Sequence, residues 1–261
     1  MAEPVTGPEG RSIGHAPGAS PATGPEGRSI GHAPGASPVV SAAGWGVLHL
    51  FCTFGPSVDN EGVSTAVKVA QEGEHQVVSF AVLGHKAEVG FMALGPDLWT
   101  LRRLQADLTA AGLVVVDSYL SMTEVSEYAQ GVPPERLEPR LHPKLPPEGK
   151  RVVCFYPMSK RRSVAGNWYM LPYEERRDLM EGHGRKGREF AGRVVQLVTG
   201  STGLDDWEWG VTLFAADPAD LKACVYEMRF DPASAVYAEF GAFITGLVAP
   251  VEELLTEVGR G

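Results

Sequence analysis

Between Gly131 and Gly149 the composition turns abruptly to Pro, Glu and Arg, with prolines at Pro133, Pro134, Pro139, Pro143, Pro146 and Pro147. Each proline fixes φ and removes a backbone donor, so this stretch reads as a stiff linker, residues 131–150, rather than a packed element. It divides the chain into two halves with the same order of elements. Upstream, Trp45–Phe54 is strand-like, and the segment from Glu61 has helical spacing in Val63, Val67 and Ala70. Strands follow at Gln76–Leu83 and Glu88–Leu94, then a helix from about Pro96 to Ala111 carrying Leu98, Leu101, Leu104 and Leu108, and a strand at Leu113–Met122. Downstream come a strand Arg151–Met158, a helix Pro172–Phe190, strands Val194–Thr199 and Trp207–Ala215, a helix Pro218–Met228 and a strand Ala235–Leu247. Both halves read β-α-β-β-α-β, so the expected fold is α+β with two tandem ferredoxin-like units, residues 44–130 and 151–261. No sequence identity links the halves, and the duplication rests on element order.

Residues 6–22 and 23–39 are a tandem repeat, TGPEGRSIGHAPGASPA then TGPEGRSIGHAPGASPV, differing at the last position. Gly, Pro, Ser and Ala dominate, so neither copy buries enough apolar surface to offset its ordering entropy, and residues 1–43 are expected to be a disordered tail. His15 and His32 recur with the repeat, one per copy, which is a weak metal site. A formal charge of -9 over 261 residues argues against nucleic acid or anionic lipid as a general partner. Cys52, Cys154 and Cys224 lie far apart without zinc or c-type haem spacing and read as buried thiols of a cytoplasmic protein. No apolar run reaches the roughly 20 residues of a membrane span, and no export signal is expected.

If Arg151–Lys160 is a strand, Tyr156, Met158 and Lys160 project from one face, and Val153 and Phe155 from the other. A phenol, a thioether and an ammonium on one face suit a flat, mostly apolar ligand with a carboxylate at its edge. From the strand alone, Tyr156 reads first as a half-buried strand aromatic. On the next helix His183 shares a face with Leu179, Met180, Gly187 and Phe190. By itself such a histidine reads first as a satisfied core residue. Gly182, Gly184 and Gly187 crowd the same turn, each costing about 1 kcal/mol relative to Ala, which suggests that something bulky needs the space. A porphyrin against this helix, with His183 on its iron, accounts for both features. The match of Gly182–Gly187 to a dinucleotide-binding fingerprint is rejected, because the charged helical run EERRDLM, and no strand, enters it. Gln196 lies between Val194 and Val198, and Val195 and Leu197 make the opposite face apolar too, so its amide is expected to be buried. It reads equally as a core amide satisfied by backbone and as a hydrogen-bonding group across a haem from His183. Lys160, Arg161, Arg162, Arg185, Lys186 and Arg188 make the region basic enough to recruit a polyacid, although most are expected to face solvent.

The runs FYPMSKRRSVAGNWYMLPYEERRDLMEGHGRKGREF, QLVTGSTGLDDWEWGVTLF and YEMRFDPASAVYAEFGAF together resemble the coproheme decarboxylase branch of the chlorite dismutase superfamily, over most of residues 151–247. The resemblance implies a dimeric α+β barrel fold, a homopentamer, and hydrogen peroxide-dependent removal of two propionate carboxyls from iron coproporphyrin III (coproheme), giving haem b. It implies that Tyr156 is the catalytic tyrosine, oxidised to a radical that takes hydrogen from a propionate β-carbon. It further implies that His183 is the proximal iron ligand, Gln196 a distal amide, and Met158, Lys160, Ser234 and Arg229 neighbours of the propionates. In the actinobacterial branch a distal histidine serves as base to the tyrosine; His142 takes that place here, with Arg140 as a propionate anchor. Chlorite-decomposing members carry arginine where this chain has Gln196, which disfavours that activity. A haem peroxidase, which would not need Tyr156, and a non-enzymatic haem carrier or sensor, which would show no turnover, are the rival functions.

Overall fold

A computed structural model describes residues 37–41, 44–129 and 132–259; the repeat through residue 36, with His15 and His32, lies outside them. The first half contains β1 (Gly46–Phe54), α1 (Asn60–Ala70), β2 (Gln76–Val82), β3 (Val89–Gly95), α2 (Leu98–Ala110) and β4 (Leu113–Thr123). After α3 (Pro134–Leu141) come β5 (Val152–Lys160), a hairpin of β6 (Arg162–Ser163) and β7 (Gly166–Asn167), a 3-10 turn at Trp168–Met170, and α4 (Tyr173–Arg188). The chain ends with β8 (Val194–Gly200), β9 (Trp209–Ala215), α5 (Pro218–Met228), α6 (Pro232–Ala235), β10 (Ala238–Phe240), β11 (Ile244–Val248) and α7 (Val251–Val258).

Four of the helices start at an aspartate whose carboxylate accepts a backbone N–H of the first turn: Asp59 from Gly62, Asp97 from Trp99, Asp217 from Ala219 and Asp231 from Ser234. Four segments differ from expectation. The proline-rich stretch contains α3, which tolerates Pro134 at its first position because that N–H has no helical acceptor anyway. The strand expected over Ala235–Leu247 is broken into the end of α6, then β10, then β11, because Asp231-Pro232 starts a helical turn and Gly241 gives its N–H to the Pro157 carbonyl at 2.8 Å. The terminal helix α7 was not anticipated. Upstream of β1, Val39 N–H reaches Asp97 Oδ1 at 3.1 Å, so residues within the expected tail engage the start of α2.

The strand order is β2-β3-β1-β4 in the first half and β8-β9-β5-β11 in the second, the same ferredoxin-like order twice. Two antiparallel seams join them, β11 to β2 (Leu247↔Ala81) and β4 to β8 (Met122↔Gly200). With β5 paired to both β11 and β9, the sheet closes into a barrel, and β10 adds to the end of β5 (Phe240↔Met158). Closure leaves neither half with a free sheet edge at those seams. Val47, Phe51, Phe80, Met92, Tyr119, Phe155 and Phe214 fill the interior from both halves. Buried side chains of this size each stabilise the fold by roughly 1.5–3 kcal/mol.

The two outer faces are covered unequally. Over the first half, α1, α2 and α7 seal a cluster that includes Leu50, Phe91, Leu104, Leu108 and Leu254. Over the second half, α5 packs Leu221 against Val152, Cys154, Tyr156, Val211 and Leu213. The longest helix, α4, buries none of its residues and rests on α5 and α6.

Candidate functional site

Strand β5 alternates as its sequence requires: Val153 and Phe155 point into the barrel, while Cys154, Tyr156 and Met158 lie on the outer face. The Tyr156 ring stacks on Phe243, centroids 4.4 Å apart and planes 24° apart, and meets the Phe240 ring edge-on at 5.7 Å. Among the described residues no hydrogen bond to the phenol is found. Burial pushes its pKa above the ordinary tyrosine range, and the neighbouring Cys154 and Cys224 thiols push the same way. The phenol is therefore neutral across physiological pH and holds its proton.

Cross-strand register places Tyr156 beside Val211 and Val211 beside Val198; Cys154, Leu213 and Gln196 are aligned in the same way. Gln196 and Val198 thus share the outer face of Tyr156. Gln196 is exposed, which corrects the expectation of a buried amide: apolar residues flank it along the strand, yet no described helix buries it.

His183 projects from α4 with Nδ1 2.8 Å from Asp231 Oδ2, a carboxylate only 2% exposed. A carboxylate only accepts, so the ring proton sits on Nδ1, and the Nε2 lone pair is left for a metal. Ser234 donates its backbone N–H to the same carboxylate oxygen at 3.2 Å, and its Oγ is 3.5 Å from His183 Nδ1. Lys160 is buried nearby, donating from Nζ to the Ala233 carbonyl at 2.8 Å and lying 4.2 Å over the Trp168 ring. Burial lowers its pKa to about 8, against the pull of the Asp231 and Glu208 carboxylates, which favour the charged form. The structure thus gathers Lys160, His183 and Ser234 around Asp231, and aligns Tyr156, Met158 and Gln196 on one sheet face.

The glycines of α4 are open. A Cβ at Gly182 or Gly187 would find no atom within 4 Å, and one at Gly184 would meet only the end of Arg188 at 3.5 Å. They lie inside a continuous helix, in keeping with the rejection of a dinucleotide loop. Among the described residues there is no group of three or more His, Cys, Asp or Glu able to hold a metal. A metal on His183 must therefore bring its own ligands, as porphyrin iron does, and an unshielded glycine-rich helix face next to a free Nε2 fits such a group.

Other expected residues are elsewhere. His142 holds Glu138 Oε1 at 2.6 Å through Nδ1, and its ring packs 4.9 Å from Trp45; neither contact belongs to the Tyr156 group. Arg140 is exposed on α3, and Arg229 is exposed at the end of α5. Of the basic residues, Arg162 is paired with Glu208 and Lys186 with Glu227. Sequence reasoning missed Asp231, Trp168, Phe240 and Phe243. Asp231 alone carried a local signal, an Asp-Pro pair of the kind that opens a helix.

Known proteins resemble this chain in sequence and in fold. The chlorite dismutase family model matches residues 59–249. The coproheme decarboxylase of Thermus thermophilus is 42% identical over 198 residues, covering 74% of this chain and 79% of the relative. That of Staphylococcus carnosus is 43% identical over 201 residues, covering 73% and 79%. Among solved structures, one described as a novel heme-binding protein from Thermus thermophilus superposes with a TM-score of 0.74 at 37% identity, covering 86% of this chain and 99% of that one. A mutant chlorite dismutase from Candidatus Nitrospira defluvii, at 17% identity and a TM-score of 0.68 over 84% of this chain and 98% of that one, shares the fold. The doubled ferredoxin-like barrel, the motifs of its second half and these similarities lead to one assignment: the chain belongs to the chlorite dismutase family.

Proposed function

We propose that this protein is a coproheme decarboxylase, which uses hydrogen peroxide to remove two propionate carboxyls from iron coproporphyrin III and yields haem b. The observation that carries the reading is a carboxylate-held histidine, His183 on Asp231, in the same half of the barrel as a neutral phenol, Tyr156, that accepts and donates no hydrogen bond among the described residues. Two relatives above 40% identity that bear this name support it.

In this reading His183 Nε2 holds the iron, and Asp231 fixes the ring and raises its donor strength. The bound iron porphyrin supplies the oxidising power that peroxide delivers. Tyr156 gives up its phenolic proton and one electron, then takes a hydrogen atom from a propionate β-carbon and is a phenol again. Loss of one more electron and of carbon dioxide leaves the vinyl group. Per propionate, two electrons and one proton leave the substrate, and one peroxide accepts both electrons with that proton and one more from solvent, giving two waters. Met158, Lys160, Ser234 and Arg229 would hold the propionates, and the Gln196 amide would offer hydrogen bonds to the oxidant. His142 as base and Arg140 as anchor belong to this reading if substrate draws the α3 segment away from Trp45. A cytoplasmic site of action accords with three free, buried cysteines, and no described helix is long and apolar enough to cross a membrane. Assembly as a homopentamer is part of the same proposal and is tested by light scattering.

The test is stepwise peroxide addition to protein loaded with iron coproporphyrin III, followed by mass spectrometry of the porphyrin. Wild type should lose two carboxyl groups, and Tyr156→Phe should bind substrate yet stall, at a rate lower by about 100-fold or more. Unchanged porphyrin mass in wild type, despite a histidine-ligated spectrum, would point to a peroxidase or carrier instead.

A further inference from the structure

Tyr156 is covered by an unusual segment. The connection Gly241–Phe243 between β10 and β11 is tied down at both ends. Gly241 N–H donates to the Pro157 carbonyl at 2.8 Å, and a Cβ there would come within 2.6 Å of Pro157 and 3.0 Å of Trp207, so only glycine lets the chain lie this close to β5. At the other end Lys86, in the β2–β3 loop of the first half, donates from Nζ to the Phe243 carbonyl, and Leu83 N–H donates to Thr245 at 2.8 Å. Between these anchors the Phe243 ring lies nearly parallel to Tyr156 while remaining 37% exposed. An aromatic left that open adds little to the core, and its ring contacts are with Tyr156 and, at 6.3 Å, with Phe240.

We propose that Phe243 is a positioning residue for Tyr156: clamped by Lys86 from the other half of the barrel, its ring fixes the phenol plane and shields it from water. This rests on the proposed decarboxylase function for its catalytic consequence, but not for the contact itself. Hydrogen transfer from a propionate β-carbon is steep in distance and angle, and displacement by about 1 Å can lower a rate by 100-fold. A loosely held tyrosine would also expose its oxidised form to solvent and side reactions.

Two measurements test it on Phe243→Ala, Phe243→Tyr and Lys86→Met. In the porphyrin-free protein, ultraviolet titration against Tyr156→Phe isolates the ionisation of Tyr156. In Phe243→Ala this phenol should ionise at clearly lower pH than in wild type, towards the ordinary tyrosine range, because part of its burial is lost. In loaded protein, Phe243→Ala should lower kcat for loss of the first carboxyl by about tenfold or more with little change in KM. Phe243→Tyr, which keeps the stack, should restore both readings, and Lys86→Met should fall between. Unchanged Tyr156 ionisation in Phe243→Ala overturns the proposal whatever the rate does. A wild type that removes no carboxyl overturns the proposed activity, while the titration still decides whether Phe243 holds the phenol.

Discussion

Replacing Asp231 by asparagine removes one charge and almost no volume. The amide oxygen can still accept the Ser234 N–H, so α6 keeps its cap. What weakens is the 2.8 Å bond from His183 Nδ1. A hydrogen bond to a charged acceptor contributes about 1.5–3 kcal/mol and a neutral one about 1 kcal/mol, so the imidazole loses roughly 0.5–2 kcal/mol of support. Outer-shell substitutions of this kind typically lower metal affinity by about 10–100-fold. Titration of haem into wild type and Asp231→Asn, followed by absorbance and by competition with an apo-globin, should show weaker binding in that range. Urea unfolding of the porphyrin-free Asp231→Asn protein should show that same loss, and Asp231→Ala should cost about 1 kcal/mol more through loss of the cap. Equal haem affinity and identical spectra for wild type and Asp231→Asn would refute Asp231 as the support of an iron-binding His183.

Gly187 is four residues from His183 on α4 and has nothing near its missing Cβ; Gly187→Leu should stabilise the porphyrin-free protein by up to about 1 kcal/mol while abolishing haem binding, read by thermal melts with and without haem. Lys160 has a folded-state pKa of about 8 against the ordinary lysine value of 10.5. Between those values the unfolded chain binds a proton that the folded chain does not, so stability should rise with pH from about 8 towards 10, by at most about 3 kcal/mol. Urea midpoints of Lys160→Met should lack that rise. His49 is buried inside the barrel, with Nε2 3.0 Å from Thr212 Oγ1 and Nδ1 without a partner, and burial lowers its pKa to about 3 from 6.5. The unfolded chain is protonated first as pH falls below about 6.5, so stability should decline from there towards pH 3, and the double variant His49→Leu, Thr212→Val should flatten that slope in acid urea titrations.

The outward set on β5 was legible because strand alternation is a local property: once Arg151–Lys160 is a strand, Tyr156 and Phe155 must part. The same logic failed at Gln196. Valines and leucine on both sides of β8 indicate a strand but do not say whether a helix lies over it, and coverage is decided by where α4 and α5 come to rest. Asp231 was invisible as a partner of His183 because 48 residues and two strands separate them, and its local signal marks only a helix start. The proline run concealed α3, since proline argues against a helix everywhere except the first turn. The ferredoxin-like order of each half followed from the element string, but the seams β2–β11 and β4–β8 are long-range pairings that no local pattern encodes. The placement of Phe243 over Tyr156 depends on one of those halves reaching across to the other.

Those seams also govern when the molecule can form. The strand that closes the ring against β2, Ile244–Val248, follows every other strand of the ring, so the pairing of Leu247 with Ala81 waits until both ferredoxin-like units have been made. Until then a nascent first half presents the bonding edge of β2 to its surroundings, a ready template for intermolecular association. Loop closure over such a separation is slow compared with hairpin formation. A protein cut in the proline-rich stretch should therefore yield two sticky half-sheets rather than two independent domains, and recovery of native protein should depend on both halves being present together during folding.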